Sequence, residues 1–509
     1  MKFNFLKTGT NKVVNHEGAE AYRLSPEWRL YTAAVTSGLS DSFYESASTR
    51  LEHIRNLVAH NDPEFIARLA VYTRTRMNMR SVPLALAVEL ARVHRGDSIV
   101  RRTVAGVVQR ADEITELLAY YQLANNRQDM KKLNKLSKQI MNGLEDAFNR
   151  FDEYQFAKYN RDADVKLRDA LFLVHPKAKD KDQQVLFNKI VGNTLEIPYT
   201  WETELSSLGQ DVFPTEKARK KAFGQKWEEL IDSGKVGYMA LMRNLRNILD
   251  ANVSEKHIDK VCKTLSSAEA VRRSKQLPFR FLAAYREISK VNSVYASSIL
   301  TALEQAVTVS AERIKGFDSN TRVLLACDVS GSMQRAVSPR SSIQSYDIGL
   351  MLAMLLKSRC KKAVTGMFGD TWKVIQVPAQ GILANVDAFY RREGEVGYST
   401  NGYLVIEDLL NRKERIDKVM MFTDCQLWNS RNDTSLPRLW NEYKKISPDS
   451  RLYLFDLSGY GTTPLDIIRE DIFLISGWSD KVFDILDAID KGGDALDEIK
   501  KVELNASAV

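Results

Sequence analysis

The sequence predicts a multidomain α + α/β protein, a helical-repeat module followed by a doubly wound α/β domain. Three observations carry this. Apolar residues recur at helical spacing from about Ser25 to about Lys315, short apolar runs then alternate with helical segments to near the end, and charge divides at the same place. Residues 1–318 carry 49 Lys and Arg against 39 Asp and Glu, net +10, whereas residues 319–509 carry 24 against 26, net −2. The predicted boundaries are 1–318 for the helical module, 319–495 for the α/β domain and 496–509 for a tail.

In the first part, NDPEFIARLAVYTRTRMNMR places Asp62 as a helix cap with Pro63 in the first turn, and Phe65, Leu69, Tyr72 and Met77 form its apolar stripe. Comparable segments follow: SVPLALAVELARVHR, DEITELLAYYQLAN, KLSKQIMNGLEDAFNRF, VKLRDALFLVHP, GYMALMRNLRNIL, HIDKVCKTL, PFRFLAAYREISK and SSILTALEQAVTVSAERI. Helix after amphipathic helix joined by short polar turns predicts stacked helical hairpins of the HEAT-like kind.

After KGFDSN the order is strand RVLLACD, helix SIQSYDIGLMLAMLLKSR, strands AVTGMFG and WKVIQV, and helices NVDAFYRR and NGYLVIEDLLNRK. Strand DKVMMFTD, helix LPRLWNEYKKIS, strands RLYLFDLSG and DIFLISG and helix DKVFDILDAID complete it. Parallel sheets bind ligands at the carboxyl ends of their strands, and that is where oxygen-rich loops fall: DVSGS after the first strand, YSTNG before a helix, and FTDCQ after a later strand.

The opening residues lack a signal-peptide pattern and no apolar run is long enough to span a bilayer, so a cytoplasmic chain without membrane contact is predicted. Cys262, Cys327, Cys360 and Cys425 form no C-x-x-C pair and read as reduced thiols. All six histidines precede residue 319, which argues against a Ser-His-Asp hydrolase in the α/β domain. A phosphate loop of the G-x-x-x-x-G-K-[ST] type is missing, and the position two residues after Asp328 is Ser330 where a dehalogenase-type phosphohydrolase needs Asp. A non-enzymatic binding protein is therefore predicted.

The D-x-S-x-S loop, the threonine of YSTNG and the T-D of FTDCQ together resemble the metal-ion-dependent adhesion site of von Willebrand factor A domains. The resemblance implies Ser330, Ser332 and Thr400 as hydroxyl ligands, with Asp328 and Asp424 ligating directly or through water. Such an oxygen set suits Mg²⁺ or another divalent cation. The alternative is that these Asp and Ser residues only cap loops.

EWRLYTAAVTSGLSDSFYES, NDPEFIARLAVYTRTRMNMRSVPLALAVELA, VGYMALMRNLRNIL and QLPFRFLAAYREI resemble the TROVE module of the Ro autoantigen family, which also places an A-type domain second. The resemblance implies a bacterial or phage Ro orthologue, monomeric, with a ring of helical repeats acting in RNA quality control or degradation. Single-stranded ends of misfolded RNA would enter the cavity, Y or Y-like non-coding RNA would bind outside, and an exoribonuclease would be tethered through such an RNA. Candidate cavity contacts are Arg74, Arg76, Arg80, Arg243, Arg246 and Arg280; the alternative for each is an ion pair within the module or plain solvation. KYNRDADVKLRDALFLVHPKAK offers Lys158, Arg161, Lys166, Arg168, His175 and Lys177 for the outer contact, with Leu167 standing where eukaryotic relatives are expected to have histidine. A second function class is a metal-dependent protein adaptor acting through the A domain without RNA.

Overall fold

The computed structural model describes residues 11–38, 46–125, 136–160, 163–338, 341–428 and 435–504. Among these residues nine strands form two sheets: β1 Lys12–Val14, β2 Glu20–Arg23, β3 Arg322–Asp328, β4 Lys362–Phe368, β5 Trp372–Val374, β6 Lys418–Thr423, β7 Arg451–Asp456, β8 Thr462–Thr463 and β9 Ile472–Ser476. The large sheet has the order β5-β4-β3-β6-β7-β9, parallel except for the antiparallel edge strand β5. Strand β3 is buried from its second residue to its last, as its uninterrupted apolar run requires of a strand covered on both faces. The doubly wound α/β prediction holds.

The chain forms two compact units. The first comprises residues 1–54, 265–291 and 297–498, and the second residues 55–264, 292–296 and 499–509. The predicted boundary at 318 is a change of sequence periodicity, and spatial compactness is a separate property. Residues 11–54 join the first unit through specific bonds. β2 pairs with β8, the Tyr31 hydroxyl donates to the Ser476 carbonyl at 3.0 Å, and the Asn15 amide donates to the Leu427 carbonyl at 2.8 Å. The small β1-β2-β8 sheet was not expected, because strands of three, four and two residues are too short to show an alternation.

Within the first unit, Arg286 on helix Pro278–Ile288 makes a two-pronged ion pair with fully buried Asp347 of helix Ser345–Lys357, at 2.7 and 2.8 Å. Asp347 also accepts the Gln344 amide, capping its own helix.

The second unit is built from helices packed on their neighbours. Helix Pro63–Thr75 begins as predicted, with the Asp62 carboxylate accepting the amides of Glu64 and Phe65 and Pro63 in the first turn. Helix Ile99–Val107 crosses helix Lys138–Phe148 closely at Gly143, where an added Cβ would lie 2.6 Å from Val104 Cβ and 2.9 Å from the Arg101 carbonyl. The segment expected as a tail begins as helix Ala495–Lys500. At its end and just after it, Arg68 donates to the carbonyls of Lys500 and Val502, and Arg102 to that of Leu504. Among the described residues no helix is long and apolar enough to cross a membrane.

The Gly143 crossing leads to a direct expectation. Gly143→Ala should destabilise the protein by about 1–3 kcal/mol in urea unfolding, because the backbone and a β-branched side chain must both give way. Gly234→Ala, at a position with open space but φ +65°, should cost less.

Candidate functional site

Parallel pairing of β3 with β6, in the register Cys327↔Phe422, brings the ends of two non-consecutive strands side by side. With β4 on the other flank of β3, this is the point where the chain order across the sheet reverses, the usual position of a ligand crevice. Asp328 ends β3 and Asp424 follows β6 by one residue. Ser330 and Ser332 come from the turn after β3, part of it a single 3₁₀ turn Gly331–Gln334, and Thr400 lies just before helix Tyr403–Arg412.

All five predicted metal ligands are buried. The Ser330 and Ser332 hydroxyls are 3.2 Å apart. Asp328 Oδ1 accepts the Ser330 amide at 2.9 Å, and Oδ2 accepts the Thr423 hydroxyl at 2.6 Å. Asp424 Oδ1 accepts the Gln426 amide at 2.9 Å, while its Oδ2 has no hydrogen-bond partner among the described residues. Thr400 is held from behind, its hydroxyl accepting the Trp428 amide at 2.9 Å; the Gly331 amide donates to the Tyr398 carbonyl at 3.0 Å, tying the first loop to the second. Cys425 adopts φ 61°, a left-handed conformation that costs energy for a residue with a Cβ and turns the chain sharply after Asp424.

Burial, and for Asp328 also the neighbouring Asp424, raises both carboxyls above the ordinary carboxylate range. Two buried acids and an orphaned oxygen, with three hydroxyls alongside, fit a hard divalent cation, which would take up the charge and the free lone pairs. Among the described residues no group of three or more His, Cys, Asp or Glu side chains converges on a metal, so a cation here would depend on the hydroxyls.

Further residues around the crevice did not stand out in sequence. Thr423 orients Asp328. Asn15 and His16 brace the third loop, since the His16 amide donates to the Gln426 side chain at 3.0 Å and Asn15 holds Leu427. Buried Asp456, at the end of β7, is pushed up to about 6 by burial and keeps one oxygen unpartnered among the described residues. The T of FTDCQ was the one available signal; the braces from Asn15 and His16 span 412 and 410 positions of the chain.

The predicted RNA contacts separate into two groups. Arg74 donates to both oxygens of Glu113, at 2.8 and 3.1 Å, and to the Val107 carbonyl, with Glu113 fully buried. Arg80 reaches Asp112, Glu113 and Glu116. These two guanidiniums are occupied inside the helical unit, the structural alternative recognised from sequence. Arg76 and Arg243 are exposed and make no ion pair with any described residue. Arg246 is exposed with Asp250 at 3.6 Å, and Arg280, in the first unit, lies near the Phe279 ring at 6.0 Å.

Lys158, Lys166, Arg168, His175 and Lys177 are exposed, whereas Leu167 is buried and Arg161 falls outside the described residues. Lys158 stands over the rings of Tyr154 and Tyr159 at 5.5 and 5.7 Å, Arg110 covers Tyr159 at 4.3 Å, and Arg168 stands over Phe172 at 5.6 Å. Tyr154 and Phe172 are themselves 46% and 45% exposed. His175 ends its helix in a left-handed conformation, φ 48°.

The chain thus joins a unit of packed helices to a doubly wound α/β unit that carries a crevice lined by hydroxyls and carboxylates. The family model described as TROVE domain matches residues 32–222 and 192–321, more than half of the chain, and the chain belongs to that family. It is 26% identical over 305 residues to "Telomerase protein component 1" of Mus musculus, covering 46% of this chain and 11% of that protein. For the Rattus norvegicus counterpart the identity is 24% over 350 residues, covering 52% and 13%. The chain thus spans a small part of those relatives. Among solved structures, the Deinococcus radiodurans RO (RSR) protein superposes with a TM-score of 0.58 at 17% identity, over 90% of this chain and 98% of that one, so the fold is shared.

Glu113 accepts two arginines and the amides of Gln109 and Arg110 without any exposure to solvent. Glu113→Ala should therefore cost about 3–5 kcal/mol in chemical denaturation by leaving Arg74 uncompensated. Arg243→Ala, at an exposed site, should stay within about 0.5 kcal/mol of the parent.

Proposed function

We propose that the protein is a non-enzymatic RNA-binding scaffold whose helical unit holds non-coding RNA and whose α/β crevice holds Mg²⁺. The observation that carries the RNA reading is the set of exposed cations on the helical unit, two of them, Lys158 and Arg168, beside the exposed rings of Tyr154 and Phe172, in a chain belonging to the TROVE domain family. Cations that track phosphates and rings that stack bases are what sequence-tolerant RNA binding needs. Arg76, Arg243 and Arg246 serve single-stranded ends. Lys158, Lys166, Arg168, His175 and Lys177 serve a structured Y-like RNA. Tethering of an exoribonuclease through that RNA, and action on misfolded transcripts in the cytoplasm, complete the proposal.

The test of the RNA reading is anisotropy titration with a labelled single strand at several salt concentrations. Replacing Arg76 and Arg243 by Ala should weaken binding and lower the slope of log affinity against log salt by about 0.7 for each phosphate that is no longer neutralised. No binding by the parent protein at low salt would end this reading. It would favour a metal-dependent protein adaptor, to which Tyr398 and Trp428, 49% and 42% exposed in the two segments that bond Ser330's neighbour and Thr400, would contribute aromatic contacts.

The metal is tested separately. In Mg²⁺ at tenfold excess over its dissociation constant, the folded protein should gain about 1.4 kcal/mol. Asp424→Asn should abolish that gain while the chelated variant stays about as stable as the chelated parent, because neutralising one of two buried acids relieves their repulsion. Melts of both proteins with chelator and with Mg²⁺ decide it, and an equal shift in the two would remove the metal assignment.

A further inference from the structure

A groove of about 760 Å³ lies within the first unit, away from the β3–β6 crevice. Strand β2 and the start of helix Pro26–Val35 form one side, and residues after β8 together with β9 form another. This volume lies in the range of pockets that hold a small organic ligand. Its lining includes the aromatic residues Tyr22 and Trp28 and two arginines six positions apart, Arg23 and Arg29.

These arginines are not compensated in the way that others in the protein are. Among the described residues neither has a carboxylate within ion-pair distance. Arg29 is half-buried, and its side-chain partner is His53, Nη2 to Nε2 at 3.1 Å. Burial first, and the like charge of Arg23 second, hold the Arg29 guanidinium below its ordinary value. By contrast Arg469, on the same groove, is neutralised by Asp471 through bonds of 2.8 and 2.9 Å.

The acids of the lining have other bonds. Asp466 accepts the Ile468 amide, and Asp494 accepts the Asp497 amide at the start of the last helix. A half-desolvated guanidinium beside a second one is costly unless an anion joins them, and the planar Arg fork matches the oxygens of phosphate.

We propose that this groove binds a phosphate-bearing nucleotide, with Arg23 and Arg29 on the phosphate and Tyr22 and Trp28 against the nucleoside. The phosphate belongs either to a free mononucleotide or to the 5′ end of an RNA strand. This site uses none of the cations assigned above to RNA and none of the metal ligands, so it stands or falls separately from both.

Calorimetric titration of the full chain in chelator with AMP, inorganic phosphate and adenosine is the test. AMP should bind at least about tenfold more tightly than adenosine, since a charge-assisted bond is being gained. Arg29→Gln and the more exposed Arg23→Gln should each lose about tenfold or more in AMP affinity, and Arg29→Lys should recover part of it by restoring charge without the fork. Thermal melts of each variant confirm folding, and Arg23→Gln alone suffices if Arg29→Gln proves unstable. Competition between AMP and a 5′-phosphorylated 12-mer, absent with the 5′-hydroxyl 12-mer, would name the RNA end as source; AMP binding that neither 12-mer disturbs would name the free nucleotide. No AMP binding, equal affinity for AMP and adenosine, or unchanged affinity in both Gln variants would overturn the proposal.

Discussion

The side-by-side parallel pairing of β3 with β6 is the constraint on which the crevice of Asp328 and Asp424 depends. It joins segments nearly a hundred residues apart, and with their register set at Cys327↔Phe422 the next residues along, Asp328 and Thr423, meet in a 2.6 Å hydrogen bond. Asp424 then falls beside Asp328 in the same buried pocket. A one-residue slip would turn the alternating side chains of β6 to the opposite faces and break this meeting. Apolar burial on both faces of the sheet is what prevents the slip, because every position from Val323 to Cys327 and from Val419 to Phe422 is covered. The hydrophobic core thus holds two acids together that would repel one another in isolation.

Electrostatics in the helical unit follow the opposite logic. Glu113, buried in the first turn of its helix, draws Arg74 and Arg80 inward. The surplus of positive charge counted over the first part of the chain is therefore not all surface charge. What remains outside is selective: Arg76 and Arg243 without ion pairs among the described residues, and Lys158 and Arg168 lying over tyrosine and phenylalanine rings. In the first unit the uncompensated pair is Arg23 and Arg29, set against a groove. The contrast between Arg74 and Arg76, two residues apart in one arginine-rich run, falls at the end of helix Pro63–Thr75: Arg74, within its last turn, reaches Glu113, while Arg76, at its cap, faces solvent.

Much of the architecture was legible because long elements advertise themselves. Repeated 3.6-residue periodicity marked the helices, the uninterrupted RVLLACD run marked a central strand, and Asp62-Pro63 marked a helix start that the structure bears out atom by atom. The three oxygen-rich loops were also legible, since Asp, Ser and Thr after apolar strands are conspicuous, and all five of their singled-out residues are buried. The two short N-terminal strands, the bracing of Gln426 by His16 and the buried orphan oxygen of Asp456 had no local pattern to betray them. What the sequence by itself determined was the kind and order of elements and the chemistry available at strand ends, because periodicity and composition are local properties of the chain. Only the tertiary structure decided which arginines are neutralised by acids, which acids share a pocket, and which cations face a groove, because those depend on distances between residues that the order of the chain leaves far apart.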